Sequence, residues 1–307
     1  MKFIRNVPMS MCGLSLALAT LGNLLRPHGE AIRYALGVLS AAVLILLVLK
    51  IILDFPRVRE ELRTPLPLSV LPNTTMTLMM LCVYARPYLG DAAVAVWHFA
   101  VMAHALIMLL FFKRFVLGFR LDTVLPSWFV VFVGIAAVSV TAPYIGAVPI
   151  GQVAFYIGFV LYFVALAFVT CRMAKIGQFP EPVRPTLAIF AAPMSLLTIG
   201  NFNSFILQGQ PNYALFLFLL VMAAASYVFV TINMFFLLRV KFYPTYASFS
   251  FPYVASATAF GVGAYFLAER GFHFLAPVVT ATMWIAVAIV AYVLVRYIMF
   301  FRFQRRF

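Results

Sequence analysis

Apolar runs follow one another along the chain, separated by short segments that hold its acidic residues and most of its basic ones. A helix of about 20 apolar residues is long enough to cross the hydrocarbon core of a bilayer. The pattern predicts ten such spans, near residues 7–25, 33–53, 66–85, 92–112, 124–148, 152–171, 185–208, 213–238, 245–268 and 274–295. We therefore expect an all-α integral membrane protein in which residues 1–307 form a single transmembrane channel or transporter domain.

The first span needs a separate decision, because a basic start followed by an apolar stretch is also typical of a signal peptide. Pro8 at the head of the stretch and the run of further spans behind it favour a retained first helix.

The spans alternate in polarity. The odd-numbered windows hold 19 Ser or Thr in 112 residues, whereas the even-numbered ones hold 6 in 110. Prolines follow the same rule: Pro8, Pro72, Pro126 with Pro143, Pro193 and Pro252 lie in odd-numbered spans, and Pro277 lies near the start of the last even one. A proline inside a helix removes a backbone hydrogen bond and kinks the helix, and lipid cannot satisfy the freed carbonyl. The odd-numbered helices should therefore face protein or water, and the even-numbered ones lipid.

One proline from each odd-numbered span, taken in order from Pro8 to Pro252, recurs at steps of 54 to 67 residues, about the length of a helical hairpin. This weak repeat predicts five hairpins, with an inner ring of kinked odd-numbered helices forming a pore and an outer ring of even-numbered helices. The alternative is that prolines and small residues only let helices pack closely.

The composition agrees with a membrane protein, since 65% of the residues are hydrophobic and only 10% are charged. The excess of 22 Lys and Arg over 8 acidic residues could indicate nucleic-acid binding or membrane topology. The basic residues are scattered between apolar runs, whereas a nucleic-acid surface gathers them on one solvated face. Topology is the better interpretation, so we expect a lipid bilayer and no nucleic acid as partner.

Short cytoplasmic loops are enriched in Lys and Arg. One side of the predicted topology holds 18 basic residues: Lys2, Arg5, Lys50, Arg57, Arg59, Arg63, Lys113, Arg114, Arg120, Arg172, Lys175, Arg184, Arg239, Lys241, Arg296, Arg302, Arg305 and Arg306. The other side holds Arg26, Arg33, Arg86 and Arg270. The split predicts a multi-pass protein with both termini in the cytoplasm. We expect the membrane to be a bacterial inner membrane.

Charged chemistry is missing from the interior of the spans. All eight acidic residues lie in loops or at span ends, although an ion-coupled carrier usually displays an intramembrane ionisable group. His98 and His104 are six residues apart, which does not match the i, i+4 spacing of a helical metal pair. Cys12, Cys82 and Cys171 lie in separate spans without metal or redox spacing. We expect no metal, no cofactor and no enzymatic activity, and an uncharged passage that suits weakly held anions.

Four segments resemble one family. LPNTTM (71–76), PSWF (126–129), RPTLAIFAAP (184–193) and FSFPYVASATAF (249–260) are similar to the tellurite-resistance/dicarboxylate transporter family, which includes bacterial tellurite-resistance protein A and the plant slow-type anion channels. The resemblance implies ten helices as five hairpins, a pore in each protomer and a homotrimer. It also implies that Phe251, directly before Pro252, plugs the pore; ordinary helix packing is the alternative role for this residue.

The residues expected to line or kink the pore come from the odd-numbered spans: Pro8, Ser10, Pro72, Thr74, Thr75, Pro193, Ser195, Ser250, Pro252 and Ser256. Members of the family tend to have glycine around the proline of the first span. This chain departs from that pattern, because it has Asn6 before Val7-Pro8 and Ser10 after them. We expect passive conduction of small anions such as chloride or nitrate through a pore gated by Phe251. The alternative is a proton-linked carrier for dicarboxylate, sulfite or tellurite oxyanions, in which His98 or His104 takes part.

Overall fold

The computed structural model describes residues 2–304, and every regular element within that range is helical. Ten long helices follow the order of the predicted spans: α1 Met9–Leu24, α2 Glu30–Leu53, α3 Pro65–Leu89, α4 Asp91–Val116, α5 Trp128–Ile145, α6 Val148–Ile176, α7 Glu181–Ile206, α8 Tyr213–Leu237, α9 Pro244–Ala268 and α10 Ala276–Phe303. In this part of the chain, nine are long and apolar enough to cross a membrane, and α1 is shorter. Short helices at Lys2–Arg5 and Phe55–Glu61 lie outside the spans. Arg305 and Arg306, both predicted to be cytoplasmic, lie outside the described residues.

Each odd-numbered helix is built from two or three segments. α1 begins with a 3-10 turn at Met9–Met11, and α9 begins with a 3-10 segment at Pro244–Phe249 before its α-helix at Ser250–Ala268. α3 consists of Pro65–Val70 and Pro72–Leu89, and α5 of Trp128–Val133 and Ala136–Ile145. α7 begins with a long 3-10 segment, Glu181–Ala191, followed by Ala192–Asn201 and a π-helical turn at Phe202–Ile206.

Three of the prolines stand where a helical segment begins. Pro72 is the first residue of its segment, Pro193 the second and Pro252 the third. The first four N–H groups of an α-helix have no intrahelical acceptor, so a proline there costs no hydrogen bond. These prolines therefore mark the start of a new segment. They do not interrupt a continuous hydrogen-bond ladder, which the sequence analysis assumed.

α5 shows that a break does not require a proline. Its two segments meet at Gly134 and Ile135, whereas Pro126 precedes the helix and Pro143 lies near its C-terminal end. The prediction that a proline breaks this span was therefore wrong, because the break lies at Gly134 and Ile135 and not at either proline. Glycine is a known cause of helix breaks because it weakens the helix and permits close packing.

Burial alternates along the chain. In an apolar 18-residue window of each of α3, α5, α7 and α9, between 61% and 83% of the residues are buried, against 22% to 33% in the even-numbered helices. The α-helical part of α1 is buried over nearly its whole length. Large apolar side chains such as Leu109, Val160 and Phe235 point outward from even-numbered helices. The even-numbered helices thus present an apolar outer surface that matches hydrocarbon.

The contacts between helices connect the two sets. α1 packs against α3, α3 against α5, α5 against α7, α7 against α9, and α9 against α1 again. Each odd-numbered helix also packs against the even-numbered helix that follows it in the chain. Each of these helices therefore has two odd-numbered neighbours in addition to the even-numbered one.

Candidate functional site

Two cavities lie among the odd-numbered helices. The narrow cavity has a volume of about 30 Å³ and is lined by residues of α1, α3, α5, α7 and α9, including Ser10, Asn73, Gly134, Pro193 and Phe251. A buried site needs roughly 10–15 Å³ of such volume to hold a water molecule, so this cavity has room for about two.

The wide cavity has a volume of about 470 Å³ and is lined by the same five helices together with Arg33 of α2 and the turn after α1. Its polar lining consists of three arginines, Arg26, Arg33 and Arg86, and of the neutral residues Thr20, Asn23, Thr141, Asn203 and Thr258, together with Tyr144. Among the described residues that line the two cavities, none is acidic. Cavities of this composition have hydrogen-bond donors and positive charge but no fixed negative charge to repel an anion.

Phe251 lines both cavities, and among residues 2–304 Leu196 is the one other residue that does so. Phe251 is 8% exposed, and within residues 2–304 no aromatic ring packs against it. Phe249, two residues earlier, is fully buried and packs against the ring of Tyr246 at 4.8 Å between centroids. The two phenylalanines of this segment therefore differ: Phe249 is a packing residue, and Phe251 stands between two spaces.

The position of Phe251 follows from how α9 meets α1. The Ser250 hydroxyl donates to the carbonyl of Ala247 at 2.6 Å, which closes the turn where the 3-10 segment becomes α-helix. The same hydroxyl lies 3.4 Å from the carbonyl oxygen of Gly13 on α1. A Cβ atom at Gly13 would stand 3.3 Å from the Ala247 oxygen, so glycine permits this close approach. Phe251 is the next residue after this contact and is held at the junction.

Several predicted hydroxyls connect helices and line neither cavity. Ser195 of α7 and Ser256 of α9 have their oxygens 3.0 Å apart, and both lie within hydrogen-bond distance of the Ala191 carbonyl, at 2.7 and 3.2 Å. Thr74, by contrast, bonds within α3, where its hydroxyl donates to the Leu71 carbonyl at 2.7 Å. Since hydroxyls bonded in this way satisfy the backbone at helix breaks, they stabilise the segmented helices.

Thr75 connects α3 to α4. Its hydroxyl donates to the Pro72 carbonyl at 2.7 Å and lies 2.8 Å from Nδ1 of His104, which is fully buried. Nδ1 of His98 lies 2.9 Å from the carbonyl of Val94, four residues earlier on the same helix. The two histidines therefore have different partners. In the described part of the chain, no group of three or more His, Cys, Asp or Glu side chains could hold a metal ion.

The predicted residues thus fall into two groups. Ser10, Pro193, Phe251 and Pro252 line the narrow cavity. Pro8, Pro72, Thr74, Thr75, Ser195, Ser250 and Ser256 line neither cavity. Asn73, inside the quoted LPNTTM motif, lines the narrow cavity and was missed, as were Asn203 and the arginines of the wide cavity. Arg26, Arg33 and Arg86 were predicted only as charges that set the topology. Their location on the same side of the spans was the available signal that they could meet in one cavity.

Long apolar helices surrounding uncharged and arginine-lined spaces define a multi-pass membrane protein of the transport class. The chain matches the model of the voltage-dependent anion channel family, SLAC1, over residues 6–298, and it belongs to that family. The resemblance stated from the sequence motifs is confirmed. Membership implies anion transport across a membrane and not an enzymatic activity. A search of curated proteins found no significant match.

Proposed function

We propose that the protein conducts small anions such as chloride or nitrate passively through a pore enclosed by an inner ring of α1, α3, α5, α7 and α9, with the even-numbered helices as an outer ring. The closed order of helix contacts supports this arrangement. The observation that carries the proposal is the place of Phe251, which lines both the narrow and the wide cavity. Its ring closes the passage, and its movement opens it.

Selection for anions has a simple physical basis in this proposal. The wide cavity has arginines in its wall, and neither cavity has an acidic residue among its described lining. The narrow cavity offers Ser10, Asn73 and Ser248 as neutral polar groups. Neutral groups hold an ion weakly enough for it to leave, which favours conduction over tight binding.

The gate is tested by flux of chloride and nitrate into liposomes that contain wild-type protein or Phe251→Ala. Removing the ring joins the two cavities, so the variant is expected to conduct faster by about tenfold or more, the effect of removing a barrier of roughly 1.4 kcal/mol. Phe235→Ala is the matched control, because Phe235 of α8 is 72% exposed on the lipid-facing surface. Equal anion flux in wild type and Phe251→Ala would refute the gate.

A second candidate is a proton-linked carrier for dicarboxylate, sulfite or tellurite oxyanions. One observation favours this candidate. Nε2 of His104 is buried and has no hydrogen-bond partner among the described residues, and the His104 ring lies beside Gly134, which lines the narrow cavity. A carrier of this kind requires uptake that follows a pH gradient and is lost in His104→Gln. Uptake that ignores the gradient removes this candidate.

The proposed assembly and setting rest on the family resemblance and on the split of basic residues between the two sides. We propose a homotrimer in a bacterial inner membrane, with residues 1–307 as one domain and both termini cytoplasmic. Cross-linking in native membranes tests the trimer, and a cysteine-labelling assay on each terminus tests the orientation.

A further inference from the structure

The wide cavity has a positively charged wall at one end. Arg26 lies in the turn after α1, Arg33 lies in the first turns of α2, and Arg86 lies near the C-terminal end of α3. All three line the same space, although they come from three different elements. They also belong to the side of the predicted topology that holds only four basic residues. A general excess of positive charge on that side therefore does not explain why three of them line one cavity.

Arg33 is fixed in place. Its residue is 6% exposed, its Nε donates to the side-chain oxygen of Asn23 at 3.0 Å, and its Nη1 donates to Glu30 at 3.1 Å. The guanidinium carbon stands 4.5 Å from the ring centroid of Tyr84 and 5.3 Å from that of Tyr34. A guanidinium that is held by a hydrogen bond, an ion pair and aromatic faces is preorganised, so it loses little conformational entropy when it binds a ligand.

The positive charge at this end is not fully compensated. Glu30 is shared by two arginines, since Arg26 reaches its Oε1 at 2.7 Å and Arg33 reaches its Oε2 at 3.1 Å. Arg86 has a long contact of 3.7 Å with Asp91, whose side chain is fully exposed. Three guanidinium groups therefore face two carboxylates, and neither carboxylate belongs to the cavity lining. An anion inside the cavity meets net positive charge.

We propose that the wide cavity is an anion-binding vestibule in which Arg33 and Arg86, with Asn23, bind a small oxyanion before it reaches Phe251. The donors of a guanidinium lie in one plane and match two oxygens of an oxyanion better than they match a spherical halide. The cavity, at about 470 Å³, accommodates such an anion with part of its hydration shell. The role of the vestibule in conduction rests on the proposed function, but its binding of oxyanions does not.

The narrow cavity has no charged residue among its described lining. The vestibule therefore makes the passage asymmetric. Oxyanions that arrive from the vestibule side are collected by electrostatic attraction, whereas those from the other side are not. Flux from the vestibule side should fall steeply with ionic strength, because salt screens the attraction.

The test measures nitrate and chloride binding to purified protein in nanodiscs by isothermal titration calorimetry at constant ionic strength, with wild type, Arg86→Gln and Arg270→Gln. Arg270 is the control because it is also on the arginine-poor side but lines neither cavity. We expect nitrate to bind more tightly than chloride, and Arg86→Gln to weaken nitrate binding by about tenfold, the effect of losing one charged hydrogen-bond donor. Arg33→Lys keeps the charge but not the planar fork, and it should lose the preference for nitrate.

Nitrate binding that is equal in wild type and Arg86→Gln, or equally weakened by Arg270→Gln, would overturn the vestibule. Failure of the vestibule can be distinguished from failure of the proposed function, because nitrate binding is measured without any transport. Nitrate binding that depends on Arg86, together with unchanged flux in Phe251→Ala, supports the vestibule and refutes the gate. Faster flux in Phe251→Ala without nitrate binding supports the gate and refutes the vestibule.

Discussion

Leu196 of α7 and Phe251 of α9 both line the narrow cavity as well as the wide one. They belong to helices that pack directly against each other. Leu196 is 5% exposed and Phe251 is 8% exposed, so both are buried. An aliphatic and an aromatic side chain are therefore common to the walls of the two cavities.

Leu196→Ala should raise anion flux by less than Phe251→Ala does, because it widens the boundary but leaves the ring in place. Leu197→Ala is the matched control: Leu197 is fully buried on the same helix and lines neither cavity. Both variants lose buried methyl groups and should lower the free energy of unfolding by about 2–5 kcal/mol. Liposome flux separates them, and equal flux in the two variants would contradict a role for Leu196 at the boundary.

Ser195 and Ser256 provide a test of how the broken α7 is held against α9. Each single change to Ala should lower the free energy of unfolding by about 0.5–1.5 kcal/mol, since each removes a hydrogen-bonding hydroxyl. Because the two oxygens are 3.0 Å apart, the double variant should cost less than the sum of the single ones. Thermal unfolding in detergent measures this coupling, and strict additivity would mean that the contact contributes nothing.

Thr75→Val should lower the free energy of unfolding by about 1–3 kcal/mol, because it leaves Nδ1 of the buried His104 without its partner. Thr74→Val is the neighbouring control, since its hydroxyl bonds only within α3. If the pore conducts passively, the pH dependence of flux is the same in Thr75→Val and wild type. A shifted pH profile would favour the carrier.

Gly37→Ala tests the support of Arg33. A Cβ atom at Gly37 would stand 2.9 Å from Cε1 of Tyr84, the ring over which the Arg33 guanidinium lies. Tyr84 is also anchored by its hydroxyl, which donates to the carbonyl of Ala19 at 2.5 Å. Overpacking at such a site costs about 1–3 kcal/mol. We expect a lower midpoint of thermal unfolding and weaker nitrate binding; unchanged binding would show that Tyr84 does not position Arg33.

The spans could be predicted from the sequence because a bilayer imposes one requirement, a continuous apolar length, that is readable residue by residue. The difference between odd- and even-numbered helices was also readable, since hydroxyl side chains and prolines are rarer in the even-numbered spans. What the sequence does not encode locally is the partner of a hydroxyl. Ser195, Ser250 and Ser256 were expected at the pore. Ser195 and Ser250 bond locally to Ala191 and Ala247, three or four residues earlier in the same helix. The contacts of Ser256 with α7 and of Ser250 with Gly13, by contrast, depend on the approach of a neighbouring helix.

The arginines were misjudged for a related reason. Arg33 lies near a span end, where a basic residue usually serves topology. Its burial depends on Asn23, Glu30 and the rings of Tyr34 and Tyr84, which come from α1, α2 and α3. The break in α5 was misplaced because proline is the conspicuous cause of a kink, whereas the glycine at position 134 draws attention only once its neighbours are known.

The contact between Ser250 and Gly13 joins residues 237 positions apart in the chain. α9 meets α1 only after the intervening helices have been synthesised and inserted. During translation, α1 therefore has no α9 partner until the penultimate helix has been inserted. The contact that completes the order of odd-numbered helices thus forms late in biosynthesis, and a chain truncated before α9 lacks it.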